Sequence, residues 1–102
     1  MTNIYTFSIG TIHTANINAV AVRRLRIISG RIDLTSDVAQ WGTVFTVPEE
    51  HAPQIMAFCI LGTDTYKGWF EMNNLNVVTR FALPRGTAIK FTLVYISSTD
   101  IV

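Results

Sequence analysis

The sequence predicts an all-β fold, a small antiparallel β-sandwich or barrel of about eight strands. Three observations predict it. Short runs of β-branched and aromatic residues recur along the chain. Gly, Pro, Asn or Asp separates them about every 8–12 residues, the turn spacing of sandwiches and barrels. No clean apolar helical stripe interrupts the series.

The first strand is Ile4–Ile9, in which Tyr5, Phe7 and Ile9 alternate with Thr6 and Ser8, and Gly10 closes it. Asn16 to Asn18 punctuate the next connection. Val20–Ile28 is read as a strand, because its β-branched residues crowd a helix and no helical stripe forms. Ser29-Gly30 then turns the chain into Arg31–Thr35, with Ile32 and Leu34 inward and Arg31 and Asp33 outward. Gly42–Val47 follows and stops at Pro48. Gln54–Leu61 is almost continuously apolar, as a strand covered on both faces would be. Gly62–Thr65 is a turn. Tyr66–Met72 and Leu75–Phe81 form a hairpin about Asn73-Asn74. Leu83–Gly86 is a loop, and Thr87–Ile96 is the longest alternating strand, with Ile89, Phe91, Leu93 and Tyr95 on one side. The strongest core expectations are Gln54–Leu61, the Ile89–Tyr95 face, and Ile32 with Leu34.

The 102 residues suffice for one domain, 1–102, and are too few for two. Hydrophobic residues make up 49% and charged ones only 15%, against about 25% charged in an ordinary domain. Thr, Ser and Asn replace the missing charge. Such a surface suits a subunit interface or a neutral polar ligand such as a sugar. The net charge is +1, and Arg23, Arg24, Arg26 and Arg31 are read as alternating onto an exposed or interfacial face. No recognition helix or RNA-binding motif accompanies them, so nucleic acid is not an expected partner. The apolar runs fall short of the ~18 residues of a membrane helix, and the N-terminus lacks a secretory pattern, so membrane insertion is not expected either. Cys59, the only cysteine, sits in an apolar run and reads as a small hydrophobe.

Catalytic chemistry finds little footing. His13 and His51 stand in different loops and read as polar loop residues, too few for a catalytic metal centre. No serine occupies a nucleophile elbow, and no Gly-rich loop cradles phosphate. A carboxylate pair from Asp64, Glu71, Glu49 or Glu50 could serve glycoside hydrolysis only in a cleft deeper than so small a domain builds. The expectation is therefore binding, with no catalytic residues, metal or cofactor. Trp41 and Trp69 lie among polar residues, and an indole face packs on the C–H patch of a sugar while neighbouring polar groups take its hydroxyls. The candidate ligand-binding residues are Trp41, His51, Asp64, Tyr66, Trp69 and Glu71. A core or subunit-interface role is the competing reading for Trp69, and to a lesser degree for Trp41.

The segment Thr43–Pro53, with four residues between Thr46-Val47-Pro48 and Pro53, resembles the strand ending in T-L-P-x-x-x-x-P in the C-terminal head domain of phage receptor-binding proteins, such as those of siphophages of lactic acid bacteria. Arg24–Leu34 resembles the R-x-x-x-G-x-(I/V)-x-L strand pair upstream. Trp69–Val78 resembles the next strand–turn–strand, and Leu83–Thr87 leading to Leu93-Val94-Tyr95-Ile96 resembles the closing strand. The resemblance spans residues 20 to 97. It implies a homotrimer at the virion tail or baseplate tip that binds host cell-envelope polysaccharide and joins baseplate or tail proteins through a stalk absent from this chain. Binding residues vary within that family, so the site residues above rest on their chemistry alone. The alternative is a trimeric assembly module of a tail or capsid with no ligand. A small glycan-processing enzyme ranks behind both.

Overall fold

The computed structural model describes residues 3–55, 57–62 and 67–102, with backbone alone for 57–62 and 67–69. Among them are seven strands: β1 (Tyr5–Thr6), β2 (Thr14–Asp33), β3 (Thr43–Thr46), β4 (Ala57–Gly62), β5 (Lys67–Asn73), β6 (Asn76–Thr79) and β7 (Ala88–Ile101). A 3-10 turn, Glu49–His51, lies between β3 and β4. Every pairing is antiparallel, in the order β1-β2-β7-β4-β5-β6-β3. The chain is all-β.

The count is seven rather than about eight because Val20–Ile28 and Arg31–Thr35 do not flank a turn. Ser29 and Gly30 lie within β2, opposite Thr92 and Phe91 of β7. The chain reverses earlier. Fourteen residues of straight strand would place Asn16 about 46 Å from Gly30 at ~3.3 Å per residue. Instead, the Asn16 carbonyl oxygen lies 2.2 Å from where a Cβ on Gly30 would sit. β2 therefore folds back on itself. Arg23, midway between the two, has φ 57, and the ladder to β7 shifts register between Arg23 and Leu25. The alternation resets there as well: Ala19 and Ala21 are buried before the bend, and Arg26, Ile28 and Ile32 after it. The first arm pairs with β1 through Tyr5–Ala21, and the second pairs with β7 from Leu25–Ile96 to Asp33–Ala88. Asn16–Asn18, expected as a connection, belong to the first arm.

The core lies between these layers. Ile89, Phe91, Leu93 and Tyr95 are buried as their alternation predicts, and so are Ile32 and Leu34. Phe45, Phe70 and Phe91 form its centre, with ring centroids 5.4 to 6.2 Å apart. Such stacked and edge-on pairs each contribute about 0.5–1.5 kcal/mol beyond the area they bury. The expected Gln54–Leu61 strand begins later, at Ala57. Gln54 and Ile55 are exposed, and the core role expected of residues 56–61 lies outside the described side chains.

The two ends of the strand order come together at one place. Gly10, in the connection after β1, exchanges two backbone hydrogen bonds of 2.8 Å with Thr46 of β3. Among the described residues this bridge is the one pairing between the two edges, so the sheet curls until its edges touch without a continuous closing ladder.

Both histidines lie between strands, as loop residues would, but both are buried, which corrects the accessible place expected of His51. His13 is buried, and its Nδ1 accepts a hydrogen bond from the Thr35 backbone N–H at 3.1 Å. His51 is buried, with its ring stacked on Phe7 at 3.9 Å. Arg26 is also a correction. Arg23, Arg24 and Arg31 are exposed, but Arg26 is fully buried, because the bend at Arg23 turns it inward.

Candidate functional site

Two loops meet at one end of the β5–β6–β3 layer. Val38 and Leu83 exchange backbone hydrogen bonds of 2.8 Å, which zips the loop before β3 to the loop before β7. Beside that bridge the Trp41 N–H donates to the Thr79 carbonyl at 2.7 Å, and the Thr79 N–H donates to Gly42 at 3.0 Å. Gly42 also donates to Ala39 at 2.8 Å, closing a tight turn. These bonds hold Trp41 at φ 67, a left-handed conformation that is an outlier for a bulky residue.

The Trp41 side chain gains little burial in return, since the residue is 51% exposed. A Gly or Asn would take this turn with less strain. Strain retained on an exposed aromatic points to use of its surface, since strained residues cluster at functional sites. The Arg80 guanidinium carbon sits 4.6 Å from the Trp41 ring centroid, within cation–π range. Arg80 in turn donates to Glu71 Oε1 at 2.6 Å, and the Glu71 side chain is only 13% exposed. The pairing follows from register: Glu71 of β5 stands opposite Val78 of β6, two residues before Arg80.

Where the two loops are zipped together lies a shallow depression of about 450 Å³ lined by Asp37, Val38, Ala39, Ala82, Leu83 and Pro84. Asp37 Oδ1 accepts from the Arg85 backbone N–H at 2.7 Å, which fixes the rim. Phe81, 45% exposed, adds a second aromatic ring nearby in sequence. Neither Trp41 nor Phe81 lines this depression; their exposed ring surfaces can pack on the face of a polar ring, and the depression offers a carboxylate and an apolar floor beside the same two loops. A second depression, about 600 Å³, is lined by Glu49, Glu50, Ala52, Asn74, Leu75, Ser98 and Thr99; it has hydroxyls and carboxylates but no aromatic face.

Of the six residues expected from sequence, the structure joins Trp41 and Glu71, through Arg80. His51 cannot present its ring to a ligand: it is buried, and its Nδ1 accepts from Arg26 Nε at 2.9 Å. The reason is that the 3-10 turn carries it inward against Phe7 and β7. Asp64 and Tyr66 lie outside the described residues. Trp69 is placed on β5 opposite Ile60, and its side chain lies outside the described ones. Sequence reasoning missed Arg80, Asp37 and Phe81. A loop-flanking Arg after a strand was the one visible signal, and it does not reveal which ring it covers. Among the described residues, no three His, Cys, Asp or Glu side chains gather so as to hold a metal ion.

Comparison with known protein families, with curated proteins and with solved structures finds no match to this chain.

Proposed function

We propose that this chain is a host-adhesion head domain of the phage receptor-binding kind, which binds saccharide on the cell envelope through the Trp41 surface. The observation that carries the reading is an exposed tryptophan kept at positive φ and braced by the Arg80–Glu71 pair. The sequence resemblance and the low-charge composition support it. In this reading the finer architecture is a small antiparallel sandwich or barrel assembled as a homotrimer, which would protect what stays open of the edge strands β1 and β3. The touching edges at Gly10–Thr46 favour the barrel form.

Calorimetric titration with envelope polysaccharide from lactic acid bacteria tests the proposal, with light scattering for the mass. A saturable heat that Trp41→Ala abolishes, in a particle of three chains, is the expected result. A stable monomer, or no binding across a panel of such polysaccharides, overturns it.

One observation favours the ligand-free assembly module instead. On the outer face of β2 and β7, Val94 and Ile96 are exposed opposite half-buried Ile27 and Leu25. If that face is the whole function, Val94→Lys dissolves the assembly while Trp41→Ala changes nothing.

A further inference from the structure

Arg26 is a cation with no surface. It is fully buried, and its guanidinium donates four hydrogen bonds: to the carbonyls of Arg23, Leu25 and Thr99 at 2.6, 3.1 and 2.9 Å, and to His51 Nδ1 at 2.9 Å. None of these acceptors is a carboxylate. The bond to His51 fixes the state of that ring, because Nδ1 can accept only when it carries no proton. A protonated His51 would turn a donor toward a donor and place two cations in contact inside the fold.

We propose that the Arg26–His51 pair is an acid-sensitive latch. With His51 neutral it clamps the segment after β1 and the 49–54 crossing onto β7, and protonation of His51 releases both.

Apart from the Gly10–Thr46 exchange, the Tyr5–Val102 bond and the Arg24–Gln54 bond, the ties of the clamped parts lie close to the latch. β1 pairs through only Tyr5 and Thr6, and Phe7 adds one backbone bond to Ala19 at 3.0 Å and its stack on His51. The crossing is tied to β7 by Gln54 N–H to Ile96, Ser98 N–H to Ala52, the Tyr95 hydroxyl to the His51 carbonyl and the Ser97 hydroxyl to the Ala52 carbonyl. Each tie lies within three residues of His51 in the crossing.

Every charged group around the ring bears on the latch. From β2 comes Arg26, which opposes protonation. From β7 comes the Tyr95 phenol, neutral below pH ~10, while Asp100 acts on Arg26 and is already paired with Arg23 at 2.6 Å. From its own turn comes Glu50, which favours protonation but is exposed. Phe7 contributes an uncharged ring. Burial, then Arg26, hold the His51 imidazole below its ordinary range, against the smaller pull of Glu50. A histidine depressed in the folded state contributes stability in full above its unfolded value of about 6.5, and that contribution is lost as pH falls below it.

Amide hydrogen exchange followed by NMR at about pH 7.5 and about pH 5, corrected for intrinsic rates, is the test. Protection at Phe7, Gln54 and Ser98 is expected to fall at least about tenfold at the lower pH, while Val38 and Leu83 across the molecule keep theirs. In His51→Gln, whose amide oxygen can accept from Arg26 without ever charging, protection at the three sites no longer depends on pH. Protection that is independent of pH in the wild type, a loss spread evenly over all amides, or a response that survives in His51→Gln overturns the latch. Should that variant fail to fold, nitrogen shifts of the wild-type imidazole decide. An unprotonated Nδ1 at neutral pH with a midpoint below about 6.5 sustains the proposal, and a protonated Nδ1 or an ordinary midpoint overturns it. None of these readouts involves saccharide, so the latch stands or falls independently of the proposed function.

Discussion

Gly30→Ala tests the fold-back of β2, on which the placement of Arg26 and the core depends. Two costs add. Gly30 has φ 144, and a residue with a side chain held in that region is strained by about 1–3 kcal/mol. The new methyl would also lie 2.2 Å from the Asn16 carbonyl oxygen and 3.0 Å from Ile17 Cα, both backbone atoms that cannot swing aside. The first arm must retreat by about 1 Å, and overpacking of that kind costs about 1–3 kcal/mol more. The sum is about 2–6 kcal/mol, out of about 5–15 kcal/mol available to a domain of this size. At about 4–8 °C per kcal/mol, the midpoint of thermal unfolding followed by far-UV circular dichroism should fall by at least about 8 °C. Gly86→Ala is the matched control. Gly86 also has positive φ, 88, but a Cβ there meets nothing within 4 Å, so only the conformational cost of about 1–2 kcal/mol applies. A fall of less than about 4 °C for Gly30→Ala, or no difference between the two variants, would refute the fold-back at Arg23.

Trp41→Gly should leave stability unchanged or raise it, because relief of the φ 67 strain offsets the loss of a cation–π contact of about 0.5–1 kcal/mol; urea unfolding checks this, and a loss above about 2 kcal/mol would make Trp41 a structural residue. Arg80→Leu strands the mostly buried Glu71 carboxylate, at a cost of about 1–3 kcal/mol, and Glu71→Gln in the same chain should recover much of that loss. Burial pushes the Tyr95 phenol up to about 12, against the smaller opposing effect of Arg26. Its folded state therefore holds the proton more tightly than the unfolded one, and stability should drain away as pH rises from about 10 through 12. In an ultraviolet titration at about pH 11, Tyr95→Phe should barely change the phenolate absorbance; loss of a full tyrosine's signal would contradict the burial.

The legible part of this protein is the part written at period two. In β7 Ile89, Phe91, Leu93 and Tyr95 point inward while Lys90, Thr92 and the apolar Val94 point outward, because one face of that strand packs on the core and the other does not. Ile32 and Leu34 and the strand before Pro48 follow from equally local rules, whereas the hairpin expected about Asn73-Asn74 turns one residue later, at Asn74-Leu75, with Asn73 paired to Asn76. Among the candidate site residues, Trp41 and Glu71 could be named by type, since an indole and a carboxylate among polar neighbours are suited to sugars.

Partnership was not legible, because it depends on which strands cross. Arg80 reaches Trp41 only because the Thr79–Gly42 bonds bring two distant loops side by side. Gly30 reads as a turn in sequence, yet it serves a close approach within a strand, since glycine permits both and the neighbouring arm decides. The polarity of Arg26 and His51 predicts a place at the surface. A left-handed residue at Arg23 shifts the alternation by one position, and the four acceptors that make a buried guanidinium tolerable come from three separate segments of chain. Local pattern set the fold class and the strand faces; the inside-out placement of the charged residues was settled by the tertiary structure, where burial and hydrogen-bond satisfaction are decided together.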